Sequence, residues 1–271
     1  MNRVVTKAFV MNSFPWKDRH RLLHLLTHDL GLITAMAPAS ESLRSRLRAV
    51  TQLFCCAEYT LTCKQSRYSV QDGSVIESFV SISRDLDRLA AASHAAEVFS
   101  DVARNDEPQR SLYELWGFTL QEIASAEDPV FIARMGTLRL MELIGFSPRL
   151  DSCLICGSEP EVPLQFSFRE GGPLCSKDLA AAGGETLMPL TAGAVSLLRH
   201  MASAPLNRLY RFQASPAVRG QAACFADRWV EEKMEKGYRR LALLDQCPDF
   251  ILPADGTGRE KESHDDLSRP L

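Results

Sequence analysis

Long apolar runs are missing from this chain. Nothing approaches the roughly 20 consecutive apolar residues that a membrane-spanning helix needs, so no membrane partner is expected. The first ten residues, Met1 to Val10, lack the apolar core of a secretory signal, and the expected location is the cytoplasm. Catalytic signatures are missing as well. There is no G-x-S-x-G elbow, no phosphate-binding P-loop and no G-x-G-x-x-G turn. Carboxylates are scattered rather than paired, so the sequence asks for no enzyme. No internal repeat is present. A disulfide framework is not expected either, because a reducing compartment keeps the eight cysteines as thiols.

What remains describes an ordinary folded protein with an uneven charge. The chain has 271 residues, enough for about two domains, and is 45% hydrophobic and 24% charged. Residues 1–70 carry ten basic side chains against four acidic ones. That segment is therefore +6 within a chain of net charge −3, which leaves −9 for the rest. A basic module on an acidic body points to an anionic partner met by one domain only.

Periodicity changes along the chain. Short β-branched and apolar runs fill the first eighty residues: Val4 to Phe14, His20 to His28, Gly31 to Ala37, Gln52 to Thr62 and Val75 to Ile82, with Asp72-Gly73 as a hairpin turn. Five strands suit a small barrel such as an OB-fold. Helical spacing follows. Leu86, Leu89, Ala96, Phe99 and Ala103 share one face, and Leu112, Leu115, Trp116, Thr119 and Ile123 share another. Asp128-Pro129 opens a third helix that Gly145 closes. Thr191 and Ser215-Pro216 open two more. The expected fold class is α+β: an OB-fold barrel over 1–82, then a helical domain over 83–250 with a zinc-ribbon-like insert at about 150–180. A polar, disordered tail is expected over 251–271.

The insert rests on Cys153-Leu-Ile-Cys156-Gly and Gly171-Gly-Pro-Leu-Cys175-Ser-Lys-Asp178. Two C-x-x-C knuckles normally supply four ligands to one zinc ion. Here the first is complete, eighteen residues (157–174) intervene, and Asp178 stands where the last cysteine belongs. Carboxylate oxygen can bind zinc, so Cys153, Cys156, Cys175 and Asp178 form a candidate structural site; a ribbon held by packing alone is the alternative. A redox role for Cys153 and Cys156 would need the motif at a helix start after a strand, whereas here it follows a helix. Cys55, Cys56, Cys63 and Cys224 are expected in the core, and Cys247 carries no signal.

Arg44, Arg46 and Arg48 alternate, and would project from one side of an extended segment. With Lys7, Arg19, Arg21, Lys64 and Arg67 they can track phosphates without reading sequence. Phe14, Trp16, Tyr59 and Tyr68 could stack on bases, although most aromatics at strand positions are core. His20, His24 and His28 stand four apart. In a strand they span too far for one ion, and solvent or DNA is the expected environment.

In order, these segments resemble the bacterial RecO family of recombination mediators. Thr6 to Val10, Arg19 to Gly31 and Ser42 to Arg46 are similar to its barrel; Phe131 to Leu143, Gly145-Phe-Ser-Pro148, Leu150 to Cys153 and Gly171 to Cys175 are similar to its helix and ribbon. The resemblance covers about residues 3–245. It implies a non-catalytic protein that binds single- and double-stranded DNA and anneals complementary strands. With RecR, such a protein would help RecA replace single-strand-binding protein (SSB), contacting the acidic SSB tail; Arg134, Arg139 and Arg149 are candidates for that contact. Two departures stand out. Pro38, Ala39, Ser40 and Glu41 replace a more basic stretch, which implies weaker DNA affinity, and Asp178 replaces a ligand cysteine. The competing reading is a zinc-ribbon scaffold or adaptor without direct DNA binding.

Overall fold

The computed structural model describes residues 2–241 except 43, 184 and 185; the expected tail and Cys247 lie outside them. Five strands come first: β1 (Asn2–Trp16), β2 (His20–Thr27), β3 (Gly31–Ala37), β4 (Cys56–Lys64) and β5 (Arg67–Glu77). At 15 residues β1 is long enough to serve two neighbours. Its first half pairs with β4 from Asn2↔Cys63 to Phe9↔Cys56, and its second half pairs with β2 from Ala8↔Thr27 to Trp16↔His20. The sheet closes in the order β1-β2-β3-β5-β4, with β3 and β5 parallel through Ala35↔Tyr68 and Met36↔Ser69.

Alternation explains the barrel interior. Ala8 and Val10, Leu23 and Leu25, Ile33 and Ala35, and Tyr59 and Leu61 all point into one cluster, because successive strand residues face opposite sides. Tyr59 is fully buried and donates its hydroxyl to the Val50 carbonyl. That bond ties the β3–β4 connection across the barrel. Burial of the ring removes Tyr59 from the candidate base-stacking residues.

Two strand and turn expectations for this half are corrected. The β4–β5 turn is at Gln65-Ser66, both at positive φ as a two-residue hairpin loop requires, and not at Asp72-Gly73. Asp72 and Gly73 sit inside β5 opposite Thr60 and Tyr59, beside a register shift. A Cβ on Gly73 would lie 3.1 Å from the Val50 side chain, so the glycine serves a close approach rather than a turn. Val75 to Ile82 is not one strand, since β5 ends at Glu77 and Val80–Ser83 forms the helical turn α1.

The second half is helical: α2 (Leu86–Val102), α3 (Arg110–Ser125), α4 (Pro129–Leu143), α5 (Ala192–Ser203) and α6 (Pro216–Met234). The side chains of Asp85, Asp128, Thr191 and Ser215 accept from backbone N–H groups three residues on, each cap being worth about 1 kcal/mol. Helix α4 is buried on nearly all sides and is packed by α2, α3, α5 and α6. Gly136 makes this possible, because a Cβ there would lie 2.6 Å from Thr119 of α3. Leu86 does not join the buried face of α2; at the first helical position it is 73% exposed.

The insert between α4 and α5 contains β6 (Leu164–Ser167), β7 (Gly172–Leu174) and β8 (Met188–Leu190), in the order β7-β6-β8. Phe166 of β6 and Phe168 just beyond it pack edge-on or tilted against Phe225 and Trp229 of α6, with the Phe166 and Phe225 centroids 4.8 Å apart. Aromatic packing thus fixes the insert to the helical core. The outer side of the barrel shares that core as well: Phe9, Leu26, Phe54 and Cys56 lie in one buried cluster with Phe99 and Trp116. Cys55 and Cys56 are core as expected, whereas Cys63 and Cys224 are half-buried.

Candidate nucleic-acid interface and metal centre

The barrel carries most of its exposed cations on connections and strand ends. Arg19 lies in the β1–β2 turn, and Lys64 and Arg67 flank the β4–β5 turn; all three are exposed. Arg44, Arg46 and Arg48 are also exposed, but not on an extended segment. The N–H of Ser45 donates to Ser42 and that of Arg48 to Ser45, so the segment is a succession of tight turns. Leu47 and Val50 anchor it in the barrel core. Turning rather than alternation therefore presents the three guanidinium groups. Lys7 is exposed on β1 opposite Glu58. None of these seven side chains makes a hydrogen bond or ion pair with a described residue.

Arg21 differs. Its guanidinium donates to Ser13 Oγ at 2.7 Å and to the Ser13 carbonyl at 3.0 Å, and pairs with Glu41 at 3.1 Å. Glu41 thus occupies a cation as well as adding a negative charge. Tyr68 is half-buried, with its hydroxyl donating to Asp106 at 3.1 Å. Burial first, and the Asp106 carboxylate after it, push that hydroxyl up to about 12. The three histidines do not converge. His20 Nδ1 accepts from the Ala39 N–H, His24 packs edge-on against Phe14, and His28 pairs with Asp29 at 2.7 Å. Burial lowers the pKa of His24, so its ring is neutral at neutral pH.

In the insert, four candidate ligands converge. Cys153 Sγ, Cys156 Sγ, Cys175 Sγ and a carboxylate oxygen of Asp178 all lie within 4.8 Å of one another. Cys156 Sγ and Cys175 Sγ are 3.6 Å apart, and Cys153 Sγ and Asp178 Oδ2 are 3.3 Å apart. Tetrahedral zinc with bonds of about 2.0–2.3 Å separates its ligands by about 3.3–3.8 Å, and these two separations match that spacing. Local backbone builds this geometry. Gly157 at φ 69° turns the first knuckle, its N–H donating to Cys153 O at 3.0 Å; the N–H of Asp178 donates to Cys175 O at 2.8 Å in the second. Burial opposes ionisation of Cys153, but the N–H groups of Cys156, Ile155 and Cys175 directed at its sulfur outweigh that and lower its pKa. A sulfur-rich, four-ligand set suits a structural zinc ion, which would neutralise the converging thiolates and carboxylate and leave no position open.

Arg134 and Arg139, candidates for the SSB-tail contact, are both engaged inside the helical half. Arg134 is 7% exposed and pairs through Nε with Asp227 of α6 at 2.8 Å. Arg139 donates to the carbonyls of Met201, Ala202 and Ala204, satisfying the C-terminal end of α5. Arg149 is exposed, its N–H donating to Gly171 O beside the ribbon.

The family description "Recombination protein O N terminal" matches residues 1–79, and "Recombination protein O C terminal" matches residues 83–242. The chain belongs to the RecO family. It is 30% identical to a DNA repair protein RecO of Acetivibrio thermocellus over 245 residues, 90% of this chain and 97% of that protein. A RecO of Desulforudis audaxviator is 28% identical over 90% of this chain and 97% of its own length, and one from Listeria monocytogenes serotype 4b is 26% identical over 86% and 87%. RecO membership carries a role in DNA repair and recombination. No described helix of this RecO-family chain is long and apolar enough to cross a membrane.

Proposed function

We propose that this RecO-family chain is a non-catalytic recombination mediator built on an OB-fold barrel, which occupies residues 1–82, with a helical domain over 83–250. The barrel binds single- and double-stranded DNA through phosphates and anneals complementary strands, and with RecR the chain helps RecA displace SSB. One observation carries this reading: Lys7, Arg19, Arg44, Arg46, Arg48, Lys64 and Arg67 are exposed and unpaired among the described residues. Three of them lie in the β1–β2 turn or flank the β4–β5 turn, the loops through which a five-stranded Greek-key barrel engages oligonucleotides. Arg21 is a weaker candidate while Glu41 holds it.

Annealing of complementary SSB-coated oligonucleotides tests the reading. Purified protein accelerates the reaction, whereas a scaffold or adaptor without DNA engagement leaves it at the spontaneous rate. For the SSB tail, the candidate narrows to Arg149, and Arg149→Glu weakens binding of a tail peptide to the full chain; undiminished binding removes that assignment. Zinc held by Cys153, Cys156, Cys175 and Asp178 serves as a staple for the insert. Metal analysis finds about one zinc per chain, with less retained in Asp178→Ala, and no metal in either protein leaves packing as the sole staple.

A further inference from the structure

We propose that the open outer face of β1 and β2, centred on Phe14 and Trp16, is a base-stacking subsite for single-stranded nucleic acid, through which the barrel distinguishes single strands from duplex. The proposal rests on the reading of the barrel as a DNA-binding body and adds to it a second kind of contact.

A register shift in β1 between Val10 and Asn12 creates the face. Before it, Phe9 is paired with Leu26, and both are buried against the helical core. After it, Phe14 pairs with Leu22 and Trp16 with His20, and neither ring belongs to the buried core. A bulge re-aims the side chains that follow it. Phe14 is 41% exposed and Trp16 is 46% exposed, two positions apart and therefore on one side of the strand. His24 braces Phe14 edge-on, with centroids 5.4 Å apart at 71°. On the same side β2 adds His20 and Leu22, and Met36 and Thr34 follow on β3. No carboxylate stands among these seven outward positions.

Charge and ring chemistry together select the occupant. The strip runs into the turn Lys17-Asp18-Arg19, and β3 runs into the segment bearing Arg44, Arg46 and Arg48, whose side chains have no described partner. A ligand lying on this face must offer planar apolar surface to the rings and negative charge to their surroundings. A single strand offers both, since its bases can swing onto exposed rings while its phosphates meet the cations. In a duplex the base faces are already stacked on one another and only the phosphates remain. The other two aromatic candidates are spent elsewhere, Tyr59 on Val50 and Tyr68 on Asp106.

The chain supplies its own probe. Of its three tryptophans, Trp116 and Trp229 are 0% and 2% exposed, so Trp16 alone reports contact at the surface. Full-length protein is titrated with an oligothymidine strand and with a duplex of equal length, following tryptophan emission and affinity at several salt concentrations. Phe14→Ala, Trp16→Ala and Trp16→Phe are compared with wild type, with thermal melts as a fold control. The expectation is quenching of Trp16 by the single strand but not the duplex. Each alanine variant loses about tenfold in single-strand affinity, with duplex affinity and salt slope unchanged, and Trp16→Phe restores most of the loss. Unquenched emission at saturating single strand, or wild-type affinity in both alanine variants, overturns the subsite while leaving phosphate binding intact. Equal losses on both DNAs overturn it too, as does concentration-dependent self-association that the variants abolish, because the face then serves something other than bases. Wild-type protein that binds neither DNA overturns the underlying reading itself.

Discussion

Five arginines of the barrel and four of the helical half do opposite work. In the barrel, Arg19, Arg44, Arg46, Arg48 and Arg67 stand in solvent without a described partner. In the helical half, Arg134 is buried against Asp227, Arg139 closes the end of α5, Arg199 pairs with Asp151 at 2.9 Å and Arg219 pairs with Asp128 at 2.9 Å. Composition explains part of this, since the acidic excess lies beyond residue 70 and supplies partners there. Geometry explains the rest. Helices brought side by side offer carboxylates and unpaired terminal carbonyls to a long cation, whereas connections at the rim of a barrel offer mostly water. A guanidinium kept free of carboxylates can exchange its hydration for phosphate contact, releasing counterions as it does so.

Breaking the inner set has the largest effect. Arg134→Ala leaves Asp227 part-buried without this cation and costs about 3 kcal/mol, the low end for a buried pair because Asp227 is 30% exposed. Urea denaturation reads it as a lower midpoint at unchanged slope, and a wild-type midpoint makes the pair dispensable. Arg139→Ala orphans carbonyls at the end of α5 and costs about 1–2 kcal/mol in the same measurement.

The outer set responds to different experiments. Replacing Arg44, Arg46 and Arg48 together with alanine leaves the urea midpoint in place, because none has a described partner. It also lowers the magnitude of the log–log salt slope for single-stranded DNA by about 2, at about 0.7 per lost phosphate contact. An unchanged slope would exclude this segment from the DNA site. Glu41→Gln frees Arg21 and raises affinity modestly, with a stability change of about 0–1 kcal/mol; affinity that falls instead shows that Arg21 works best when held.

The smallest effect concerns pH. Burial disfavours the charge of Glu97, but Arg240 and Lys236 overcome this and its pKa is lowered below the ordinary 4.5. A carboxylate with a depressed folded-state pKa adds stability that is present above about pH 4.5 and lost as pH falls through the lower folded value. Glu97→Gln therefore narrows the stability difference between neutral and acidic solution. An identical pH profile in wild type and variant would show that the clamp from α2 to residues 236–240 adds nothing to folding.

Legibility in the sequence followed the reach of each interaction. Asp128 accepts from Phe131, Thr191 from Ala194 and Ser215 from Val218, three residues away in each case, so these helix starts were readable. Cys153 with Cys156, and Cys175 with Asp178, are turns of the same short range, and the four candidate ligands do converge. The Asp72-Gly73 signal misled because the same dipeptide that makes a hairpin also permits close approach, and only Val50 arriving from another segment shows which is meant. The internal contacts of Arg134 and Arg139 were hidden for a similar reason. Their partners are 93 and 62–65 residues away.

The sequence alone determined the alternation that fills the barrel, the caps that begin the helices, the cysteine spacing of the insert and the division of charge between the halves. Each depends on a repeat or a contact a few residues long, which the chain carries wherever it goes. Tertiary structure alone decided which arginines remain free, why Gly73 and Gly136 are glycines, and how a register shift in β1 leaves Phe14 and Trp16 uncovered beside buried Phe9. Those outcomes depend on what packs against a residue. The Cys153–Asp178 site draws on both: each knuckle is set by its local turn, and their meeting is set by the pairing of β6 with β7 and the fit of Phe166 and Phe168 against α6.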